Sequence, residues 1–295
     1  MVRILAEDEW RALTAAHEAR VDTVTAGHRA RRLAGAKHPV EDFLFTYYGW
    51  TPGRLGRWHP GAGVGLAPAR ATPHIGWRFY RRHGDVVSVD VAAFLEARGD
   101  TMHFVRELVA RTAGRAGRFG CFGLHEWAMV YRLPEADVRH SAWPLRLGRD
   151  GTDAVVEANQ VACSHFDAYR FFTPDAAPRN ALRPTRASQA AYEQPGCLHA
   201  GMDLYKWSMK LSPAIGSDLA IDAFDLAREI REFDMRASPY DLRALGYEPV
   251  RIETPEGKAQ YVEGQRRFSE RSQALRARLL ATIDGLLAAS PGRTR

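Results

Sequence analysis

Apolar positions recur along most of this chain at helical spacing and divide it into a few amphipathic stretches. Trp10, Leu13, His17 and Val21 mark a strongly charged helix over residues 8–35. A second helix is expected to start at His38-Pro39, with Pro in its favoured first position, and to carry Phe43, Leu44, Tyr47 and Tyr48. Residues 49–76 are rich in Gly and Pro and read as irregular, while 77–91 read as a hairpin about His83-Gly84. Asp90 and Asp100-Thr101 supply N-caps for helices over 91–98 and 101–113. A helix is expected at 121–132, a connection at 134–153, and either a long strand or a helix over 155–172. After a polar, Pro-rich stretch at 173–195 the chain reads as nearly all helix, at 197–211, 217–235 and 257–289, with a frayed tail at 291–295. The pattern therefore predicts a mainly α-helical protein with a few short strands, folded as one compact domain over 1–295.

Composition adds bounds to this picture. The 295 residues are 45% apolar and 26% charged, which is ordinary for a globular chain with a real core. No apolar run approaches the ~20 residues that span a bilayer. Residues Met1 to Asp8 lack the charged and apolar regions of a signal peptide. Both features lead to the expectation of a cytoplasmic protein with no membrane partner. The three cysteines, Cys121, Cys163 and Cys197, are too few and odd in number for a disulfide framework, and they lack the Cys-x2-Cys spacing of a structural zinc site. A net charge of +6 permits a polyanionic partner such as DNA. It does not demand one, because the cations are nearly all Arg, with lysines only at 37, 206, 210 and 258, and an Arg and Ala bias also follows from GC-rich coding.

The cysteines draw attention for another reason: each falls beside a histidine and an acid. The segments are Cys121-Phe122-Gly123-Leu124-His125-Glu126-Trp127, Cys163-Ser164-His165-Phe166-Asp167-Ala168-Tyr169, and Cys197-Leu198-His199-Ala200-Gly201-Met202-Asp203-Leu204-Tyr205. Histidines and carboxylates are the usual acid–base groups and metal ligands, and the flanking aromatics offer stacking surfaces. On a helical wheel His199, Asp203, Lys206 and Lys210 fall within an arc of roughly 60°, with apolar residues over most of the rest. Such a helix is buried and turns one narrow polar strip toward a cleft or toward an internal ion pair. Glu126 sits between Phe122, Met129 and Val130 on its own wheel, which suits a general acid, a metal ligand or an acid satisfied by an arginine. As a strand, 161–172 would put Cys163, His165, Asp167, Tyr169 and Phe171 on one face, with His165 and Asp167 about 7 Å apart.

Residues 217–235 add an acidic stripe, Asp218, Asp222, Asp225, Glu229 and Glu232, which reads as a solvated face or a set of arginine partners. Asp234 differs, because it falls on the apolar side near Ile230 and Ala227. A carboxylate buried there needs a polar partner, either Arg236 or a histidine from the three segments.

Residues 38–48 and Trp58-His59-Pro60-Gly61, together with His125-Glu126-Trp127-Ala128-Met129-Val130-Tyr131-Arg132 and Met202-Asp203-Leu204-Tyr205-Lys206-Trp207, resemble a family from GC-rich bacteria labelled 3-methyladenine DNA glycosylase. The resemblance covers most of the chain. A helix-hairpin-helix with a Gly-rich hairpin is not evident, and Leu242-Arg243-Ala244-Leu245-Gly246 is the nearest approach to one. What the resemblance implies is hydrolysis of an N-glycosidic bond to a nucleobase, with DNA or a nucleoside as partner and no cofactor required. Asp203 or Asp234 would then activate water. Trp127, Tyr169, Tyr205 and Trp207 would wall the base pocket, with His125 and Lys206 as further substrate contacts. His199, His165, Asp167 and Glu126 complete the set of acid–base residues. Two rival expectations stand beside this one. The first is a metal enzyme holding iron, manganese or zinc through His125, His165, His199, Asp167 and Asp203. The second is a non-catalytic nucleic-acid-binding protein in which the same residues form a satisfied polar core.

Overall fold

A computed structural model describes residues 2–134, 137–138 and 142–289; the tail at 291–295 lies outside the described residues. The described residues are 58% helix and 6% strand, so the expectation of a mainly helical fold with a few short strands holds. No helix among the described residues is long and apolar enough to cross a membrane. Two compact units are present. The first comprises the described parts of Met1–Val109, Leu204–Asp225 and Ala274–Arg295, and the second comprises those of Ala110–Asp203 and Leu226–Gln273.

The first unit opens with a short strand, β1 (Arg3–Leu5), that the helical pattern of the chain did not disclose. Helix α1 (Glu7–Leu33) follows, with Glu7, Asp8 and Glu9 in its first turn and Arg31 and Arg32 in its last, each charge matched to the helix dipole. The second helix is shorter than expected: α2 covers only Phe43–Tyr48, because the Asp42 carboxylate captures the His38 backbone N–H and the Arg31 guanidinium and so holds 38–42 in turns. After α3 (Pro52–Leu55) come β2 (Val64–Leu66), β3 (Tyr80–His83) and β4 (Val86–Val89). The sheet order is β1-β2-β4-β3, with β1 parallel to β2 and the other pairings antiparallel. Gly84, with φ +59°, supplies the left-handed turn of the β3–β4 hairpin at the place the Gly predicts. Leu5, Trp10, Trp58 and Leu66 form a core cluster beneath it.

Helix α4 (Val91–Ala113) replaces the two helices expected there. Asp90 caps its start by accepting from the Ala93 N–H, but Gly99-Asp100 does not break it. Phe94, Met102, Val105, Leu108 and Val109 are all buried at a common helical spacing, and that burial outweighs the ~1 kcal/mol cost of one interior Gly.

The second unit carries α5 (Leu124–Ala128), α6 (Gly148–Glu157), α7 (Phe166–Tyr169) and α8 (Gln189–Tyr192). The long helices α9 (Leu198–Lys210), α10 (Ser217–Arg236) and α11 (Pro255–Ala288) contribute Leu198–Asp203, Leu226–Arg236 and Pro255–Gln273 to it. The stretch 155–172 is neither one strand nor one helix: α6 ends at Glu157, a turn at 158–159 leads into an irregular segment with one bridge from Val161 to Asn180, and α7 is a single turn. Gly201 explains how the long helices pack so closely here, since a Cβ on it would lie 2.6 Å from Ser272 Oγ and 3.0 Å from Ile230 Cδ1.

Candidate functional site

The second unit contains a cleft of about 460 Å³ whose lining includes Cys121, Cys163, Cys197, His125, His199 and Tyr261. All three Cys/His/acid segments therefore reach one place. Each is put there by identifiable local structure. Phe122 and Gly123 both have positive φ, so the chain reverses just before α5 and presents His125 inward; a Cβ on Gly123 would press within 3.2 Å of the Tyr261 hydroxyl. Asn180 clamps the irregular segment that leads to His165, accepting from the Cys163 N–H at 2.7 Å and donating to the Cys163 carbonyl at 3.0 Å. His199 lies in the first turn of α9.

Asp234, fully buried near the end of α10, is the hub of the site. His125 Nε2–H donates to its Oδ2 at 2.9 Å, and the Tyr261 hydroxyl donates to its Oδ1 at 2.8 Å. The partner that its apolar wheel position required is thus His125; Arg236 turns instead to the Glu248 carbonyl. The rings of His125 and His199 meet edge to face with centroids 4.5 Å apart, and those of His199 and His165 are 5.2 Å apart. Donor atoms of His125, His199 and Asp234 all lie within 4.8 Å of one another, as do those of His165, Glu193 and Asp203. In the second group His165 Nε2 is 3.3 Å from Asp203 Oδ2 and 3.4 Å from Glu193 Oε1.

The electrostatics separate the histidines. Burial works against a charged His125, but the charge and hydrogen bond of Asp234 prevail and raise its pKa above 6.5. Burial, then repulsion from His125, pushes His199 well below its ordinary value, so its ring is neutral, the form that binds metals. Burial opposes ionisation of Asp234, yet His125 above all holds its carboxyl well below the usual carboxylate range. Burial pushes all three thiols up, that of Cys163 to about 12, so they stand protonated and are poor nucleophiles.

Other expected residues fall elsewhere. Glu126 is buried and accepts from Arg231 at 2.7 Å, with His125 Nε2 4.0 Å away; it is an acid satisfied by an arginine. Asp167 is on α7, ion-paired with Arg170 at 3.1 Å, because the helical turn after His165 removes the alternation that a strand would have imposed. Trp127 is fully buried, with its indole N–H on the Ala237 carbonyl and Arg146 over its ring, and it does not line the cleft. Tyr169 packs edge-on against Phe172. Tyr205, Lys206 and Trp207 belong to the first unit. There Tyr205 packs against Tyr48, Trp50 and Phe224, and the Lys206 and Lys210 amines sit over the Trp207 ring.

Three residues of the site were not anticipated. Arg231 carried a readable signal, since it shares a helix face with Ala227, Ile230 and Asp234. Glu193 and Tyr261 carried none; one follows a single helical turn in a Pro-rich stretch, and the other is an ordinary apolar-face position of α11. No family model matches the chain, and no curated protein or solved structure matches it either.

Proposed function

We propose that this protein is a metal-dependent hydrolase in which His125, His199 and Asp234 hold one divalent ion at the cleft. The observation that carries the reading is the donor geometry: two imidazoles and a carboxylate, all buried, within 4.8 Å of one another, with both histidines lining the cleft. Two His and one carboxylate form a recurrent three-ligand set of catalytic zinc and non-haem iron. Zinc is the better fit, because an oxygen-activating iron would face three oxidisable thiols in the same cleft. An ion there supplies Lewis acidity, polarising a substrate oxygen and lowering the pKa of water toward ~7. The chain's own part is orientation: Tyr261 fixes the Asp234 carboxylate, and Arg231 neutralises Glu126 beside His125.

The test is elemental analysis of purified protein before and after chelation, alongside hydrolysis of ester, amide and nucleoside substrates. Zinc bound at His125, His199 and Asp234 is expected, and His199→Ala should lose that ion together with activity. Full activity in protein shown to be metal-free would overturn the reading.

Hydrolysis of an N-glycosidic bond is the second reading. One observation favours it: the resembling segments at 125–132 and 202–207 supply His125 and Asp203, which both belong to the histidine–carboxylate groups. The cleft volume also suits a base or nucleoside. Release of free base from alkylated duplex DNA or from a nucleoside by metal-free protein would move the function to this reading.

A further inference from the structure

We infer that the centre is binuclear, with a second divalent ion held by His165, Glu193 and Asp203 beside the first. The inference builds on the proposed function but rests on a different set of donors. Its basis is a separation. Ligands bound at 2.0–2.1 Å around a tetrahedral ion lie roughly 3.3–3.4 Å from one another. His165 Nε2 lies 3.3 Å from Asp203 Oδ2 and 3.4 Å from Glu193 Oε1, beyond the usual N–H···O distance and at that ligand spacing. In the first set His125 Nε2 and Asp234 Oδ2 stand 2.9 Å apart, a hydrogen bond whose proton a bound ion would displace.

The chemistry and the surroundings agree. One imidazole with two carboxylates suits zinc or manganese. All three residues are buried, and neighbouring groups hold His165 and Glu193 in place. Asn180 clamps the backbone two residues before His165. Arg115 donates to the backbone carbonyl of Glu193, and Gln189 donates to its Oε1. Asp203 stands one helical turn beyond His199 on α9. The rings of His165 and His199, one from each donor set, are 5.2 Å apart at 31°. Ser164 and Gln194, flanking His165 and Glu193, line the cleft, so the second ion would sit in the wall of the same site. Paired ions about 3.5–4 Å apart serve hydrolases by stabilising the attacking and the departing oxygen together.

The experiment uses the full chain, stripped with a chelator, reloaded with zinc, desalted and counted by elemental analysis. Two ions per chain are expected, falling to one in Glu193→Gln, one in Asp203→Asn and one in His199→Ala. A single ion that persists in Glu193→Gln but disappears in His199→Ala overturns the second site and leaves the proposed function standing. A single ion that disappears in Glu193→Gln but persists in His199→Ala overturns the first site, and with it both the proposed function and the binuclear centre. No bound ion removes both. Should the variants fail to fold, the unaltered chain loaded with two equivalents of Mn²⁺ gives the answer by electron paramagnetic resonance. An exchange-coupled multiline spectrum is expected, and the six lines of isolated Mn²⁺ would overturn the pairing.

Discussion

Each unit of this protein contains a cluster of histidines, and the two are built on opposite principles. In the first unit His74 is closed at both nitrogens by neutral groups: Nε2–H donates to the Trp58 carbonyl at 2.8 Å, and Nδ1 accepts from Thr72 Oγ1 at 2.7 Å. His59 pairs with the Tyr80 hydroxyl, Trp77 packs against both rings, and Trp58 packs against that of His74. Burial prevails there, against only the Trp58 carbonyl that His74 donates to. It lowers His74 and, with the neighbouring His74 and Arg57, lowers His59 to about 3. In the second unit three histidines stand among the carboxylates Asp234, Glu193 and Asp203; His125, bonded to Asp234, is raised, while burial and His125 lower His199. Burial by itself says little about a histidine's role; the charge of its partners decides. A histidine closed by neutral groups is a structural peg, and one set against carboxylates can bind a cation or move a proton.

The largest expected effect comes from removing the charged hub. Asp234→Ala strands His125 and Tyr261 and should destabilise the second unit by about 3–5 kcal/mol. His74→Ala leaves the Trp58 carbonyl unpaired and should cost about 1–3 kcal/mol. Urea unfolding of both variants tests this, and equal losses would break the comparison.

Ligand response should divide the clusters next. Free zinc at a hundred times its Kd stabilises the state that binds it by about 2.7 kcal/mol. Hydrogen exchange should show that protection in α5 and the first turns of α9, with α3 unchanged and a chelator reversing it. Protection of α3 to the same degree would deny the second cluster its special character.

Acid should act through the first cluster. The folded pKa of His59 lies near 3 and the unfolded value near 6.5, so between those limits the unfolded chain binds the extra proton and stability falls as pH falls. From pH 7 to pH 5 the loss from this one group is about 2 kcal/mol. His59→Gln should flatten that part of the pH profile of the urea midpoint; an unchanged profile would show that His59 is not held neutral.

The smallest effect sharpens the contrast between exposed and buried charge. Arg278 pairs with Asp218 and Asp222 on the solvated side of α10, the helix that also carries Asp234. Arg278→Ala should cost less than ~1 kcal/mol, and the loss should shrink further in high salt. A loss as large as that of Asp234→Ala would mean that burial is not what separates these carboxylates.

The readable part of the site was the part written on single helices. Asp234 stood out because one acid occupied an apolar face, and its need for a histidine or arginine followed from desolvation alone. The stripe from Asp218 to Glu229 read as a solvated face or a set of arginine partners, and Arg20, Arg278 and Arg271 pair with it. Asp167 misled because alternation over 163–171 mimics a strand, whereas a tertiary clamp by Asn180 and a single helical turn set the actual path. Glu193 was hidden for a related reason: an acid after one helical turn has no periodic neighbours that mark it as buried.

By itself, the sequence determined that the chain is mainly helical and which faces of its long helices are apolar, because that periodicity is a local property of the backbone repeat. It also marked three short segments as chemically rich. Only the tertiary structure decided that His125, His199 and Asp234 meet, that His165 joins Glu193 rather than Asp167, and that Trp127 packs in the core rather than along the cleft. Those outcomes depend on residues 28 or more positions apart, or on backbone turns such as Phe122-Gly123, and close approach between distant segments leaves no periodic trace in the chain.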